Sequence, residues 1–215
     1  MEITWLGHSC FRLRSNDIVV ITDPFPISLG LRLDGRPATV VTVSNTHPNH
    51  NNWQEIAGDP RVFSTPGEYE YAGVSVRGVM TPLSEGLRVE QRNVAYSIEM
   101  ENVSICHLGD LTEPLSARHI NELSPVDVLL LPVGGGCTLA LDRGALQTMR
   151  DLDPKIVIPM HYRIPQVSLE LESVDAFLRL MGGGETQPQP RLLITASNLP
   201  QDMRASVLSP QARPA

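Results

Sequence analysis

Five of the chain's six histidines fall where short β-prone runs end: His8 after residues 3–6, His47 and His50 after 40–44, His107 at the close of 103–107, and His161 after 155–160. Imidazoles there can bind divalent metals or move protons near neutral pH, and loops beyond the carboxyl ends of strands are where ligand sites collect on a rigid scaffold. A lone histidine in such a loop is more often a hydrogen-bonded structural residue than a functional one. Five at matching positions shift that balance. His107 is the weakest of them, because it can equally face the core beside Cys106. His119 lies within a helical stretch and reads as a surface residue. Two aspartates, Asp23 and Asp110, occupy equivalent strand ends. Asp23-Pro24 could equally form a turn, whereas Asp110 follows Gly109 and precedes a helix start. Other constellations carry less. Gly134-Gly135-Gly136 is not followed by Gly-Lys-Ser/Thr, so it is not a phosphate-binding loop. Ser9 and Cys10 lack the G-x-S-x-G surround of a nucleophile elbow.

The elements that must position these side chains change character along the chain. Residues 3–6, 10–14, 18–22, 40–44, 61–64, 70–71, 74–79, 94–99 and 103–107 read as strands, with 40–44 buried on both faces and 27–37 as loop. Beyond them, strands at 128–132 and 155–160 alternate with helices at 116–123, 142–152 (capped by Asp142) and 169–181 (ended by Gly182-Gly183-Gly184), and a last strand is expected at 192–196. Strands followed by strand–helix alternation predict packed sheets with helices outside. One domain over residues 1–198 is expected, followed by a loosely packed tail over 199–215 that is rich in Pro, Gln, Ser and Ala.

Bulk properties narrow the function classes. In 215 residues, 17 basic and 24 acidic side chains leave a formal charge of -7. No basic stripe is visible, so nucleic acid is not an expected partner and a small-molecule substrate or ligand is. The three cysteines, Cys10, Cys106 and Cys137, form no paired framework, as in a reducing compartment. The first residues lack the basic segment and apolar run of a signal peptide, and no stretch reaches the ~18 apolar residues of a membrane span. A cytoplasmic protein without membrane contact is expected, and a homo-oligomer is compatible with everything read here.

Seven ordered blocks look like a known family: Thr4-Trp5-Leu6-Gly7-His8-Ser9-Cys10-Phe11, Thr22-Asp23-Pro24, Val41-Thr42-Val43-Ser44 with its following loop, Pro66-Gly67-Glu68-Tyr69-Glu70, His107-Leu108-Gly109-Asp110, Leu131-Pro132-Val133-Gly134-Gly135-Gly136 and Ile158-Pro159-Met160-His161-Tyr162. Together they resemble the metallo-β-lactamase superfamily, in particular its small bacterial branch related to L-ascorbate-6-phosphate lactonase. The resemblance runs from Met1 to about Thr195. It implies an α/β fold, an αββα four-layer sandwich, with a metal site at one edge of the two sheets.

The family loop H-x-H-x-D-H corresponds here to Asn45-Thr46-His47-Pro48-Asn49-His50, so its first histidine and its aspartate are both asparagine. A further family histidine aligns near Leu83, and no histidine lies between His50 and His107. By resemblance, a first metal would use Asn45, His47, Leu83 and Asp110, and only His47 and Asp110 of these are good ligands. A second metal would use Asn49, His50, Asp110 and His161, where two imidazoles and a carboxylate survive. That is the ligand count of a catalytic zinc site, and it also suits Mn(II) or Fe(II). His8 is expected as a supplementary ligand or a donor to substrate, with Asn45 and Asn49 beside it in the catalytic set. Two readings follow. One is a hydrolase with at most one divalent ion, acting on an ester, lactone or phosphoester. The other is a non-catalytic binding or regulatory descendant that has lost the dinuclear metal site.

Overall fold

The computed structural model describes residues 1–83, 92–136, 138–139, 141, 144–182 and 187–215. The first half supplies strands β1 (Glu2–Gly7), β2 (Cys10–Ser15), β3 (Ile18–Thr22), β4 (Leu31–Arg32), β5 (Val40–Thr42), β6 (Arg61–Phe63), β7 (Gly67–Tyr71), β8 (Val74–Met80), β9 (Val94–Met100) and β10 (Val103–His107). The second half supplies α1 (Ala117–Leu123), β11 (Val128–Pro132), α2 (Ala145–Leu152), β12 (Ile156–Met160), α3 (Asp175–Leu180), β13 (Leu192–Leu193), β14 (Arg204–Ala205) and β15 (Arg213–Pro214). Six strands form one sheet in the order β13-β1-β2-β3-β5-β6, and seven form another in the order β14-β12-β11-β10-β9-β8-β7. This is the sandwich expected.

Two features of the sequence dictate the arrangement. Val128–Pro132 and Ile156–Met160 are buried at every position, as parallel strands covered on both faces must be, and they pair in parallel with β10 and with each other. Val74–Met80 instead alternates along most of its length and pairs antiparallel with β9. The apolar faces meet in one continuous core that includes Trp5, Phe11, Leu13, Ile98 and Ile105. Tyr96 ties the layers together: its hydroxyl donates to the carbonyls of Val43 and Phe63, both at 3.0 Å, from the opposite sheet. Helices α1 and α2 contact each other and lie against the second sheet through β8, β9 and β11.

Three expectations need correction or lie elsewhere. The helix expected over 169–181 is confined to Asp175–Leu180, because the backbone before it is engaged in non-local pairing. Glu172 N donates to Gly134 O at 2.8 Å, and Arg163 N donates to Glu172 O at 2.8 Å. Those bonds replace the i→i−4 ladder that a longer helix would need. Asp142, the expected cap of the preceding helix, lies outside the described residues, and α2 starts at Ala145 after Gly144.

The tail from residue 199 is not loose. β14 pairs in parallel with β12, β15 pairs with β4, and Val207 and Leu208 are buried. Gln211 N donates to Trp5 O at 2.9 Å and Ala212 N to Leu6 O at 3.2 Å, pinning the strand that leads to His8. The attachment runs largely through main-chain groups, which composition does not reveal.

Outside the core, Arg12 on β2 makes a bidentate pair with Asp34, at 2.6 and 2.7 Å. The Arg12 guanidinium holds the Asp34 carboxyl at about 2, below its usual value. A carboxyl depressed in the folded state contributes stability that is present above its unfolded pKa and is lost as pH falls through the folded one. Asp34→Asn should therefore lower the melting temperature at pH 6. The gap to wild type should close between about pH 4 and pH 2. Thermal melts of both proteins across that range check this; a gap that does not change with pH would contradict it.

Candidate metal centre

The parallel relation of β3 with β5, and of β10 with β11 and β12, brings several strand ends to one edge of the sandwich. His8 follows β1, Asp23 follows β3, His50 lies in the loop after β5, Asp110 follows β10 and His161 follows β12. Asp110 joins the two sheets there. His50 Nε2 lies 2.9 Å from its Oδ2 and His161 Nε2 3.2 Å from its Oδ1. His8 Nε2 approaches His50 Nε2 at 3.2 Å, and the His8 and His161 rings are 4.1 Å apart between centroids. One nitrogen from each of His8, His50 and His161 lies within 4.8 Å of the others, and all three side chains are buried.

Local backbone chemistry sets this up. His8, Asp23 and His161 all adopt left-handed conformations, with φ of 53, 39 and 53°. Such a backbone costs roughly 1–3 kcal/mol per residue and persists where the surroundings enforce it. The enforcement is visible: His161 N and Trp5 Nε1 both donate to His8 O, at 3.1 and 2.9 Å, and Asp23 N donates to Thr42 O at 2.9 Å. Gly109, at φ 58°, gives the chain its turn into Asp110, and a Cβ there would collide with Asn93 Oδ1 and the Ser44 side chain. Asn93 Oδ1 in turn accepts from Asp110 N at 2.9 Å, while Asn93 Nδ2 donates to Leu108 O at 2.9 Å.

Asp23 is the orienting group for His50. Its Oδ2 lies 2.8 Å from His50 Nδ1, and its carboxylate accepts from Ser44 N and Ser44 Oγ at 2.7 and 2.5 Å. A carboxylate behind a ligand histidine fixes the ring and raises its basicity. His107 does something different. Its Nε2 donates to Ser9 O at 2.8 Å and its ring is fully buried, so it supports the chain beside His8 from within the core.

The electrostatics follow from carboxylates flanking His50 on both sides. Burial disfavours the His50 cation, but Asp110 and Asp23 outweigh it and raise its pKa to about 10. Burial would likewise raise Asp110, yet His50 and His161 more than offset it and hold the carboxyl well below its usual range. For His8, burial and the neighbouring imidazoles His161 and His50 lower the pKa well below normal; burial lowers His161 as well. The two carboxylates therefore favour the protonated form of His50 where imidazole and carboxylate donors converge.

These donors fit a divalent ion. Imidazoles and a carboxylate are the ligand chemistry of zinc and of non-haem iron or manganese. Asp110 Oδ1 and His8 Nδ1 are buried without a hydrogen bond, the former despite its 3.2 Å approach to His161. The other expected site residues border the cluster, the His47 ring lying edge-on to His50 with centroids 6.3 Å apart. His47 is exposed, with its Nδ1 accepting from Asn49 N at 3.2 Å, and Asn49 is half-buried. Asn45 is buried and turns its amide toward Asp110 Oδ2 at 3.4 Å and Ser44 Oγ at 3.3 Å. An NH₂ donor thus lies on the side of Asp110 where the resemblance would put a first metal. Leu83 offers no ligand atom. Asp23, singled out from the sequence as an acidic residue at a strand end, is here the partner of His50, whereas Asn93 as a positioning residue was missed and no sequence signal marked it.

Comparison with known proteins agrees with this geometry. A family model described as a beta-lactamase superfamily domain matches residues 2–161, and the chain belongs to that superfamily. A UPF0173 metal-dependent hydrolase of Methanoculleus marisnigri is 32% identical over 197 residues, covering 80% of this chain and 86% of that protein. Another from Archaeoglobus fulgidus is 30% identical over 202 residues, covering 75% and 83%. A solved putative zinc-dependent hydrolase of the metallo-beta-lactamase superfamily from Thermotoga maritima superposes with a TM-score of 0.80 at 33% identity, over 96% of this chain and 97% of that one.

Asp23→Asn keeps the size and the tolerance for a left-handed backbone but turns an NH₂ toward donors. Zinc affinity should fall about 10–100-fold, and urea unfolding should show a loss of about 1–3 kcal/mol. Calorimetric titration with zinc reads the first. Unchanged zinc affinity alongside the stability loss would make Asp23 purely structural.

Proposed function

We propose that this chain is a metal-dependent hydrolase that works with a single divalent ion, zinc foremost, held by His50, Asp110 and His161. The observation that carries the reading is the convergence of His50 and His161 on the two oxygens of Asp110, at 2.9 and 3.2 Å. It is supported by relatives named as metal-dependent hydrolases that match most of the chain. A bound divalent ion supplies Lewis acidity and makes a strong nucleophile available at neutral pH. The substrate class that suits this chemistry is a small ester, lactone or phosphoester. Asp23 holds the His50 ring in register, and Asp110 links the two halves of the sandwich. The Asn45 Oδ1 accepts from His47 N at 2.9 Å, which turns its Nδ2 toward Asp110 and Ser44 through long bonds of 3.4 and 3.3 Å, so that NH₂ is the donor placed to steady a developing oxyanion. Among the described residues no helix is long and apolar enough to cross a membrane. A cytoplasmic location and a small-molecule partner complete the proposal.

A second reading has its own support. The Asn45 NH₂ against Asp110, with the imidazolium of His50 between two carboxylates, satisfies much of the site's charge with no ion present. A non-catalytic binding or regulatory descendant would keep that arrangement.

Elemental analysis separates the two. Protein purified without chelator and supplied with zinc or manganese should carry about one ion per chain, and the combined variant Asn45→His, Asn49→Asp, Leu83→His should carry more and gain esterase activity. No metal in the wild type after supplementation would favour the non-catalytic descendant.

A further inference from the structure

We propose that His8 is the third imidazole ligand of this centre. It would give a three-nitrogen, one-carboxylate site and replace the anionic ligand that Asn49 no longer offers. The inference rests on the reading that an ion binds at His50, Asp110 and His161.

The geometry points this way on four counts. His8 Nε2 and His50 Nε2 are 3.2 Å apart. Zinc–imidazole bonds of about 2.0–2.1 Å put tetrahedral donors roughly 3.3 Å from one another, so that spacing is what two ligands of one ion would show. Second, His50 Nδ1 is committed to Asp23, so Nε2, which faces both Asp110 Oδ2 at 2.9 Å and His8 Nε2, is the nitrogen left to ligate. Third, the His8 side chain is buried, and one of its nitrogens lies within 4.8 Å of one from His50 and one from His161. Fourth, the left-handed backbone at His8 is held by bonds from both Trp5 and His161, one of them from another ligand's own main chain. Conformational strain kept up from two directions marks a side chain whose direction matters.

Asn49, by contrast, is half-buried on a loop whose local bonds run to the exposed His47. A carboxylate lost from one side of the site and an imidazole present on the other change the donor set from two oxygens and two nitrogens to one oxygen and three nitrogens. Nitrogen-rich sets suit zinc and cobalt better than manganese or magnesium.

The test uses the full chain and the metals themselves. Wild type stripped of metal and titrated with Co(II) should show the intense visible bands of a four-coordinate nitrogen-rich site. His8→Asn, which tolerates the left-handed backbone, should weaken zinc binding roughly 100-fold or more, beyond the 10–100-fold typical of outer-shell changes. Manganese affinity should change by less than about tenfold, and the cobalt bands should fade. A thermal melt of the variant checks folding. Nitrogen-15 NMR of the wild type needs no variant: the His8 Nε2 resonance should move to a metal-bound shift on zinc addition. If wild type binds one zinc but His8→Asn binds it equally well and His8 Nε2 does not move, His8 is not a ligand and the three-residue reading stands. If wild type binds neither zinc nor cobalt, both fall.

Discussion

The carboxylate of Asp110 is the constraint on which the functional edge depends. It comes from the second sheet, as does His161, while His50 comes from the first, and its two oxygens meet the two imidazoles at 2.9 and 3.2 Å. Buried like charges or unpaired polar atoms would be costly at that depth, so the edge holds together only while positive charge answers Asp110. In the protein alone His50 faces Asp110 at 2.9 Å, and Asp110 and Asp23 together favour its protonated form. A divalent ion answers the same need more strongly. The metal site and the junction between the sheets are therefore one structure.

Everything around the edge serves to hold those few atoms. Gly109 and Asn93 turn the chain so that Asp110 points inward. Asp23, locked by Ser44, aims His50, and His107 braces the Ser9 carbonyl next to His8. The C-terminal segment hydrogen-bonds to Trp5 and Leu6, just before the Gly7-His8 turn. His8, Asp23 and His161 at this edge all have left-handed backbone, held there by the hydrogen bonds around them.

Much of this was legible in the sequence because it depends on local pattern. Strand ends bearing histidines, the motif blocks and the continuous apolar runs at 128–132 and 156–160 all announce a sandwich with a site at its rim. What was not legible depends on non-local main-chain pairing. The apolar residues of 169–174 suggest a helix, yet their backbone is taken by Gly134 and Arg163. The polar, proline-rich tail has no periodicity, and its attachment runs largely through backbone groups with two buried side chains. Asp23 and His50 are 27 residues apart, so no spacing rule links them, and Asp-Pro alone suits a turn as well. The loop Asn45–His50 shows the opposite lesson. Read by position, His47 is a ligand; in three dimensions it is exposed, and His8, from the far end of the motif order, stands in the cluster instead.

On the function proposed here, asparagine at 45 and 49 and leucine at 83 leave one metal position of the two that the family resemblance implies. The central claim is that one ion, not two and not none, is bound where the two sheets meet. Anomalous scattering from crystals grown with zinc, recorded on either side of the zinc absorption edge, tests it most directly. A single peak in contact with His50, His161 and Asp110 is the predicted result. Two peaks bridged by Asp110, or no peak at the edge of the sandwich, would contradict it.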